Sequence, residues 1–227
     1  GKVSDLEGHI KGEYLASTIG MGHTRWATHG EPNDRNAHPH YSSNEKLAII
    51  HNGIIENYSS LKQELINKGH VFLSDTDTEV LIHFIEDIKL NNSCSLEEAV
   101  RLALTKVVGA YAIVIMSVDD PTVLIAARKG SPLVIGMGKG EYFMASDATP
   151  IIEYTNEVVY LNDQEIAVVK DGKLTVKTTT NLPLTPYIQT LDLELEAIEK
   201  GGFEHFMLKE IFEQPRSIND CMRGRLD

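Results

Sequence analysis

Three short stretches hold most of the polar residues suited to chemistry: His23-Thr-Arg-Trp-Ala-Thr-His-Gly30, His51-Asn-Gly-Ile-Ile-Glu-Asn57 and Ser74-Asp-Thr-Asp-Thr-Glu79. Arg25 offers a planar fork for bidentate grip on a carboxylate. Asp77 offers the opposite charge for an ammonium, so the two together can clamp the head of an α-amino acid. Asn52 and Gly53 can aim a side-chain N–H and a backbone N–H at one oxygen, and a glycine keeps that backbone approachable. Two such donors make an oxyanion hole, worth roughly 10²–10³-fold in turnover for each donor. Taken singly, each residue has a plainer account: a loop residue, a helix cap or, for Asn52-Gly53, a hairpin turn. Three such clusters in one chain weigh against that account. A clamp plus an oxyanion hole implies attack on a carbonyl, which wants a Ser, Cys or Thr beside a base. Cys94 lies in a polar loop before a helix and Cys221 near the end of the chain, both remote in sequence from the clusters, and neither is assigned the role.

Other chemistries fit less well. His23, His29, His38, His40 and His51 crowd together, but no pair has HExxH spacing, His38 and His40 flank a proline, and zinc-type cysteine spacing is missing. No metal and no cofactor is expected. Gly136-Met-Gly138-Lys-Gly140 lacks the Walker spacing and leads into a strand, so it reads as a hairpin turn and not as a phosphate loop.

The elements that must position these residues read as follows. Lys46–His51 is a β-rich run ending at Asn52-Gly53, a strong turn signal. Helices are expected at Ser60–Gly69, with Ser60 and Gln63 as a capping box and Gly69 just past the end, at about Thr78–Leu90, and from Ser95 toward Gly109. Ala110–Val118 and Thr122–Arg128 form a hairpin through Asp119-Asp120-Pro121. Strands follow at Pro132–Ile135, Glu141–Ala145 and Val158–Leu161, then a hairpin of Glu165–Val169 and Lys173–Val176 across Asp171-Gly172. From Asn181 the strand pattern stops, Leu191–Lys200 is acidic and amphipathic, and Phe203–Glu213 is a short helix stopping before Pro215. Adjacent strands with tight turns and grouped helices indicate α+β architecture with mainly antiparallel sheet.

Composition bounds the rest. The chain has 227 residues, a formal net charge of −12, 42% hydrophobic and 24% charged residues. That balance supports a buried core and excludes disorder. The acidity argues against binding a nucleic-acid backbone. No apolar run reaches the roughly 18–20 residues that span a bilayer, no secretory leader opens the chain, and two distant cysteines suit a reducing cytoplasm.

The clusters, with Asn36-Ala-His-Pro-His40, Gly109-Ala-Tyr111, Arg128-Lys-Gly-Ser-Pro-Leu-Val-Ile-Gly136, Ala145-Ser-Asp147 and Phe206-Met-Leu-Lys-Glu-Ile-Phe-Glu-Gln-Pro215, resemble the glutaminase domain of the glucosamine-6-phosphate synthases, the isomerising glutamine–fructose-6-phosphate aminotransferases. The resemblance covers nearly the whole chain. It implies an N-terminal-nucleophile hydrolase fold, a four-layer α/β/β/α sandwich of antiparallel sheets. In that family a cysteine that begins the mature chain attacks the glutamine amide, with its own α-amine as base. A thioester forms, ammonia passes through a channel to an isomerase domain acting on fructose 6-phosphate, and water releases glutamate. The pathway is amino-sugar synthesis, toward UDP-N-acetylglucosamine. By resemblance, Arg25 holds the substrate α-carboxylate and Asp77 its α-ammonium. Thr28 and His29 line the glutamine pocket, Asn52 and Gly53 form the oxyanion hole, and Trp26 gates the channel.

The sequence begins at Gly1, which aligns past the family's catalytic cysteine. Residues 1–198 are therefore expected to be a glutaminase domain without its first strand, inactive by itself, and 199–227 a linker with the first residues of the isomerase domain. The full-length enzyme is expected to be a cytoplasmic homo-oligomer. Two other readings stay open: the glutaminase domain of a phosphoribosylpyrophosphate amidotransferase, and a non-catalytic amino-acid-binding module.

Overall fold

Side-chain alternation along one strand sets the layering. The computed structural model describes residues 3–13, 16–25, 30–191 and 200–222. In strand β2 (Leu47–Ile55), Leu47, Ile49 and Ile55 are buried on one face among helix residues, while Ile50 packs on the other face against a second sheet. Period-two alternation with both faces covered makes β2 a shared wall of two cores.

Its sheet has seven strands in the order β1-β2-β3-β4-β8-β9-β10, where β1 is His40–Tyr41, β3 Gly109–Ser117, β4 Val123–Lys129, β8 Glu165–Lys170, β9 Lys173–Thr178 and β10 Pro183–Leu184. The second sheet has the order β11-β7-β5-β6, with β5 Val134–Met137, β6 Tyr142–Ala145, β7 Glu157–Tyr160 and β11 Gln189–Thr190. All the strands named pair antiparallel.

On the outer face of the larger sheet lie α2 (Tyr58–Asn67), α3 (Asp77–Asn91) and α4 (Leu96–Leu104). Between the sheets, Val114, Ala126, Ile135, Val159 and Ala167 form a second core. The outer face of the smaller sheet packs Val134 and Val158 under Ala148 and Ile151 of the turn segment that follows β6. Helices α1 (Val3–Ile10) and α5 (Phe206–Met222) lie toward the two ends of the chain.

Local chemistry explains the helix limits. α4 starts where Ser95 accepts a hydrogen bond from the Glu98 N–H at 3.2 Å. α2 ends in a Schellman motif: Gly69 at φ +96° gives its N–H to Ile66 O, and His70 gives its N–H to Leu65 O. The Asp171-Gly172 turn has both residues at positive φ, 49° and 70°, as a type I′ hairpin requires.

Four expectations are corrected. Asn52-Gly53 is no turn, because β2 runs through it to Ile55, with Gly53 opposite Tyr111. α2 begins after Asn57, not at Ser60, and the Asn57 side chain ties the Lys106 carbonyl and the Val108 N–H instead of capping the helix. Strands recur after Asn181 as the two-residue edge pairs β10 and β11, too short to leave a periodic signal. α5 continues through Pro215 on an exposed surface, where water can take the carbonyl a proline leaves unbonded. Most of the acidic 191–200 piece lies outside the described residues.

Candidate active site

The site forms where strand β2 runs on past the end of β1. β1 covers β2 only at Ala48 and Ile49. Further along, the Ile55 N–H turns away from β3 and donates to Asp77 Oδ2 at 2.8 Å. Strand alternation puts the Gly53 N–H on that same edge. No side chain fits at Gly53: its φ is +130°, and a Cβ there would sit 2.1 Å from the Ala110 carbonyl oxygen.

Asp77 is the first residue of α3 and only 3% exposed. The start of the helix is built to hold it. Thr76 caps the Glu79 N–H at 3.2 Å, and the Glu79 carboxylate reaches back to the N–H groups of Leu73 and Ser74 at 2.7 and 2.6 Å. The positive end of the helix is electrostatically complementary to a carboxylate at this position. One carboxylate oxygen is spent on Ile55, which leaves Oδ1 for another donor.

Arg25 stands in the left-handed region at φ 61°, uncommon for a residue with a Cβ. Its own N–H donates to His23 Nδ1 at 2.9 Å, and its guanidinium reaches the Gly30 carbonyl. His23 Nε2 in turn lies 2.7 Å from Asn52 Oδ1. Beneath Gly53, His51 Nδ1 is 3.0 Å from Thr78 Oγ1.

Arg25, Asn52, Gly53 and Asp77 all line one cavity of about 780 Å³, whose apolar wall includes Ala112, Leu133 and Met144 from both sheets. The volume suits a small metabolite. Two imidazoles beside it are held neutral. Burial pushes His38 down to about 2, reinforced by the nearby His23, His40, His51 and Arg25. Burial lowers His40 to about 4, the Arg25 charge pushing the same way while the Glu79 and Asp77 carboxylates oppose it. His40 thus feels both charges of the clamp.

Of the seven residues singled out from sequence, Arg25, Asn52, Gly53 and Asp77 come together here, and Trp26, Thr28 and His29 lie outside the described residues. His23, His38, His51 and Thr78 line the same cavity and are not among those seven. Their signal was positional, since each sits within two residues of a chosen one or in the neighbouring Ala-His-Pro-His string. Among the described residues no three His, Cys, Asp or Glu are arranged to hold a metal ion. The rings of His23, His38 and His40 contact one another at centroid distances of 4.3 and 4.9 Å.

Comparison with known families decides what such a cavity belongs to. Residues 7–193 match the family described as "Glutamine amidotransferase domain". The chain belongs to this family. Similar proteins named glutamine–fructose-6-phosphate aminotransferase (isomerizing) include one from Bacteroides thetaiotaomicron, 59% identical over all of this chain and 37% of its own length, and one from Chlorobaculum tepidum, 58% identical over all of this chain and 38% of its own length. The chain therefore spans a little over a third of these relatives. Among solved structures, the Bacillus subtilis glutamine phosphoribosylpyrophosphate amidotransferase complexed with ADP and GMP superposes with a TM-score of 0.57 at 30% identity, over 69% of this chain and 34% of that one. The fold is accordingly that of the N-terminal-nucleophile amidotransferases, with its paired antiparallel sheets.

In this amidotransferase domain neither cysteine reaches the cavity from where it stands. Cys94 lies beyond the far end of α3 from Asp77, roughly 22–25 Å along a helix of this length, and packs against the helical core. Cys221 is exposed on α5. A second cavity of about 720 Å³ lies beyond the wall made by residues 38–40 and 74–79. Two of its carboxylates are already used: Glu86 accepts the N–H groups of Ser43 and Asn44, and Glu79 those of Leu73 and Ser74. Among the described residues no helix is long and apolar enough to cross a membrane.

Proposed function

We propose that this chain is the glutamine-hydrolysing half of an enzyme that makes glucosamine 6-phosphate and glutamate from fructose 6-phosphate and glutamine. The observation that carries the reading is the convergence of Arg25, Asp77, Asn52 and Gly53 on one cavity, in a chain up to 59% identical to proteins named for that reaction. Arg25 takes the α-carboxylate of glutamine and Asp77 Oδ1 its α-ammonium, which lays the side-chain amide along β2. The amide oxygen then meets Asn52 Nδ2–H and the Gly53 N–H, which stabilise the oxyanion that forms as a thiolate adds to the carbonyl. Collapse of that adduct expels ammonia and leaves a thioester, and water repeats the addition to release glutamate. The attacking thiol is that of the N-terminal cysteine the family resemblance implies, not Cys94 or Cys221.

Residues 1–198 are assigned to the glutaminase domain and 199–227 to the connection toward a sugar-isomerising domain that takes fructose 6-phosphate. The full-length enzyme is assigned to the cytoplasm as a homo-oligomer, with no nucleic-acid or membrane partner. The phosphoribosylpyrophosphate amidotransferases share the fold at 30% identity, half the level reached by the aminotransferases, which supports the amino-sugar reading over the nucleotide one.

Steady-state kinetics of the full-length enzyme test the proposal. Arg25→Ala removes a bidentate, charge-assisted contact of about 1.5–3 kcal/mol, so KM for glutamine rises roughly 10- to 150-fold. An unchanged KM refutes the assignment.

A further inference from the structure

An oxyanion hole built on an asparagine needs the amide to present nitrogen and not oxygen. Asn52 carries that choice in a side chain whose two ends are nearly equal in shape. The hydrogen bonds around His23 make the choice. The Arg25 backbone N–H can only donate, so His23 Nδ1, 2.9 Å away, must accept and carries no proton. In the neutral ring the proton is then on Nε2. Nε2–H lies 2.7 Å from Asn52 Oδ1, and Oδ1 can only accept. A reversed amide would set N–H against N–H at that distance.

We infer that His23 is a positioning residue: it relays the donor direction of the Arg25 backbone into the orientation of Asn52, so that Nδ2–H faces the cavity. This rests on the reading of Asn52 as an oxyanion donor and adds the group that holds it. His38 backs the ring on its other side, with centroids 4.3 Å apart. The arrangement also ties the carboxylate clamp to the oxyanion hole: one residue's backbone orders the catalytic amide while its guanidinium lines the glutamine cavity.

A mutant cycle in the full-length enzyme tests this, read as glutaminase kcat and KM. His23→Ala frees the Asn52 amide. A side chain that merely flips at random loses about twofold, and outright loss of the donor loses roughly 10²–10³-fold. The expected fall in kcat is between them, about 5- to 50-fold, with KM for glutamine changed by less than about threefold. In an Asn52→Ala background the His23→Ala change adds nothing, since the group it acts through is gone. Two partial mimics separate positioning from loop anchoring. His23→Gln keeps a donor near the Nε2 position and retains most of the turnover. His23→Asn keeps an acceptor near Nδ1 for Arg25 but no reach to Asn52, and falls with His23→Ala. Full turnover in His23→Asn with loss in His23→Gln, or additive losses in the double variant, overturns the inference. If Asn52→Ala alone leaves kcat intact, the oxyanion reading itself fails, which is a distinguishable result.

Discussion

Replacing Asp77 by Asn isolates the electrostatic half of the amino-acid clamp, because the substitution changes charge and hardly changes shape. The asparagine can still accept the Ile55 N–H through its carbonyl oxygen, which now contacts Asp77 Oδ2 at 2.8 Å. Its other end becomes an N–H₂ aimed where the ammonium of glutamine should sit, so a charge-assisted contact is exchanged for a mild repulsion. Asp77 is 3% exposed, so bulk water screens the contact little. The loss then falls at the upper end of the roughly 1.5–3 kcal/mol for hydrogen bonds to charged groups, about 3 kcal/mol. At 1.36 kcal/mol per decade, kcat/KM for glutamine falls about 150-fold, mostly through KM. Fold stability changes less. Removing a carboxylate from the first turn of α3 costs about 1–2 kcal/mol, or roughly 2–8 °C in Tm for a domain of this size. The decisive assay compares glutamine with glutaramate, which has the same amide and carboxylate but no α-amine. Wild type prefers glutamine, and in Asp77→Asn that preference shrinks about 100-fold while turnover of glutaramate barely moves. An equal loss on both substrates would mean that Asp77 supports the site as a whole and does not read the ammonium, which refutes the clamp.

Two further outcomes follow from the same geometry. Gly53→Ala puts a methyl 2.1 Å from the Ala110 carbonyl at a φ of +130°, so β2 and β3 must separate. The variant loses several kcal/mol of stability, on the scale of overpacking combined with a strained backbone, and a wild-type melting curve would contradict the account. The second outcome concerns pH. His40 sits at about 4 in the fold against 6.5 in an unfolded chain, and His38 lower still, so between those limits the unfolded chain binds protons that the folded one refuses. Stability is therefore full above about pH 6.5 and declines as pH falls, by about 3 kcal/mol for His40 alone on reaching pH 4. Urea midpoints at pH 7.5, 6 and 5 read this decline, and His40→Gln makes it shallower, His38 supplying what remains. A pH-independent midpoint contradicts the buried neutral imidazoles.

The legible parts of this fold carry their signal within a few residues. Ser95 three before Glu98, Gly69 past α2, and Asp171-Gly172 between alternating runs each name a backbone state that local bonding then enforces. The illegible parts depend on partners elsewhere. β10 and β11 exist only because β9 and β7 lie beside them, and Pro215 is tolerated because its helix is exposed. In the site, residue types pointed to Arg25, Asn52, Gly53 and Asp77, because a guanidinium, an amide, a glycine and a carboxylate each have few chemical uses. His23 was not legible in that way. Its part depends on which of its nitrogens carries the proton, and that is set by the Arg25 backbone N–H and an amide 29 residues away.

Asn52-Gly53 shows most clearly how a local signal and a site can diverge. The pair reads as a hairpin turn because glycine at positive φ reverses a chain cheaply. Gly53 does adopt positive φ, but β2 does not reverse: pairing with β3 persists from Leu47 to Ile55 on both sides of it. The freedom is spent on a close approach to Ala110 and on keeping an N–H on an edge that β1 does not cover. Alternation alone would send the donors of two consecutive residues different ways, the Asn52 side chain toward the space between the sheets and the Gly53 N–H toward the strand edge. They share one cavity because that cavity lies at the corner where β1 ends, with the Arg25 segment on one side and the start of α3 on the other. A residue with a Cβ at 53 would have to widen the β2–β3 spacing to keep the pairing, and the corner would open with it. The glycine is therefore needed by the sheet and by the site for the same steric reason.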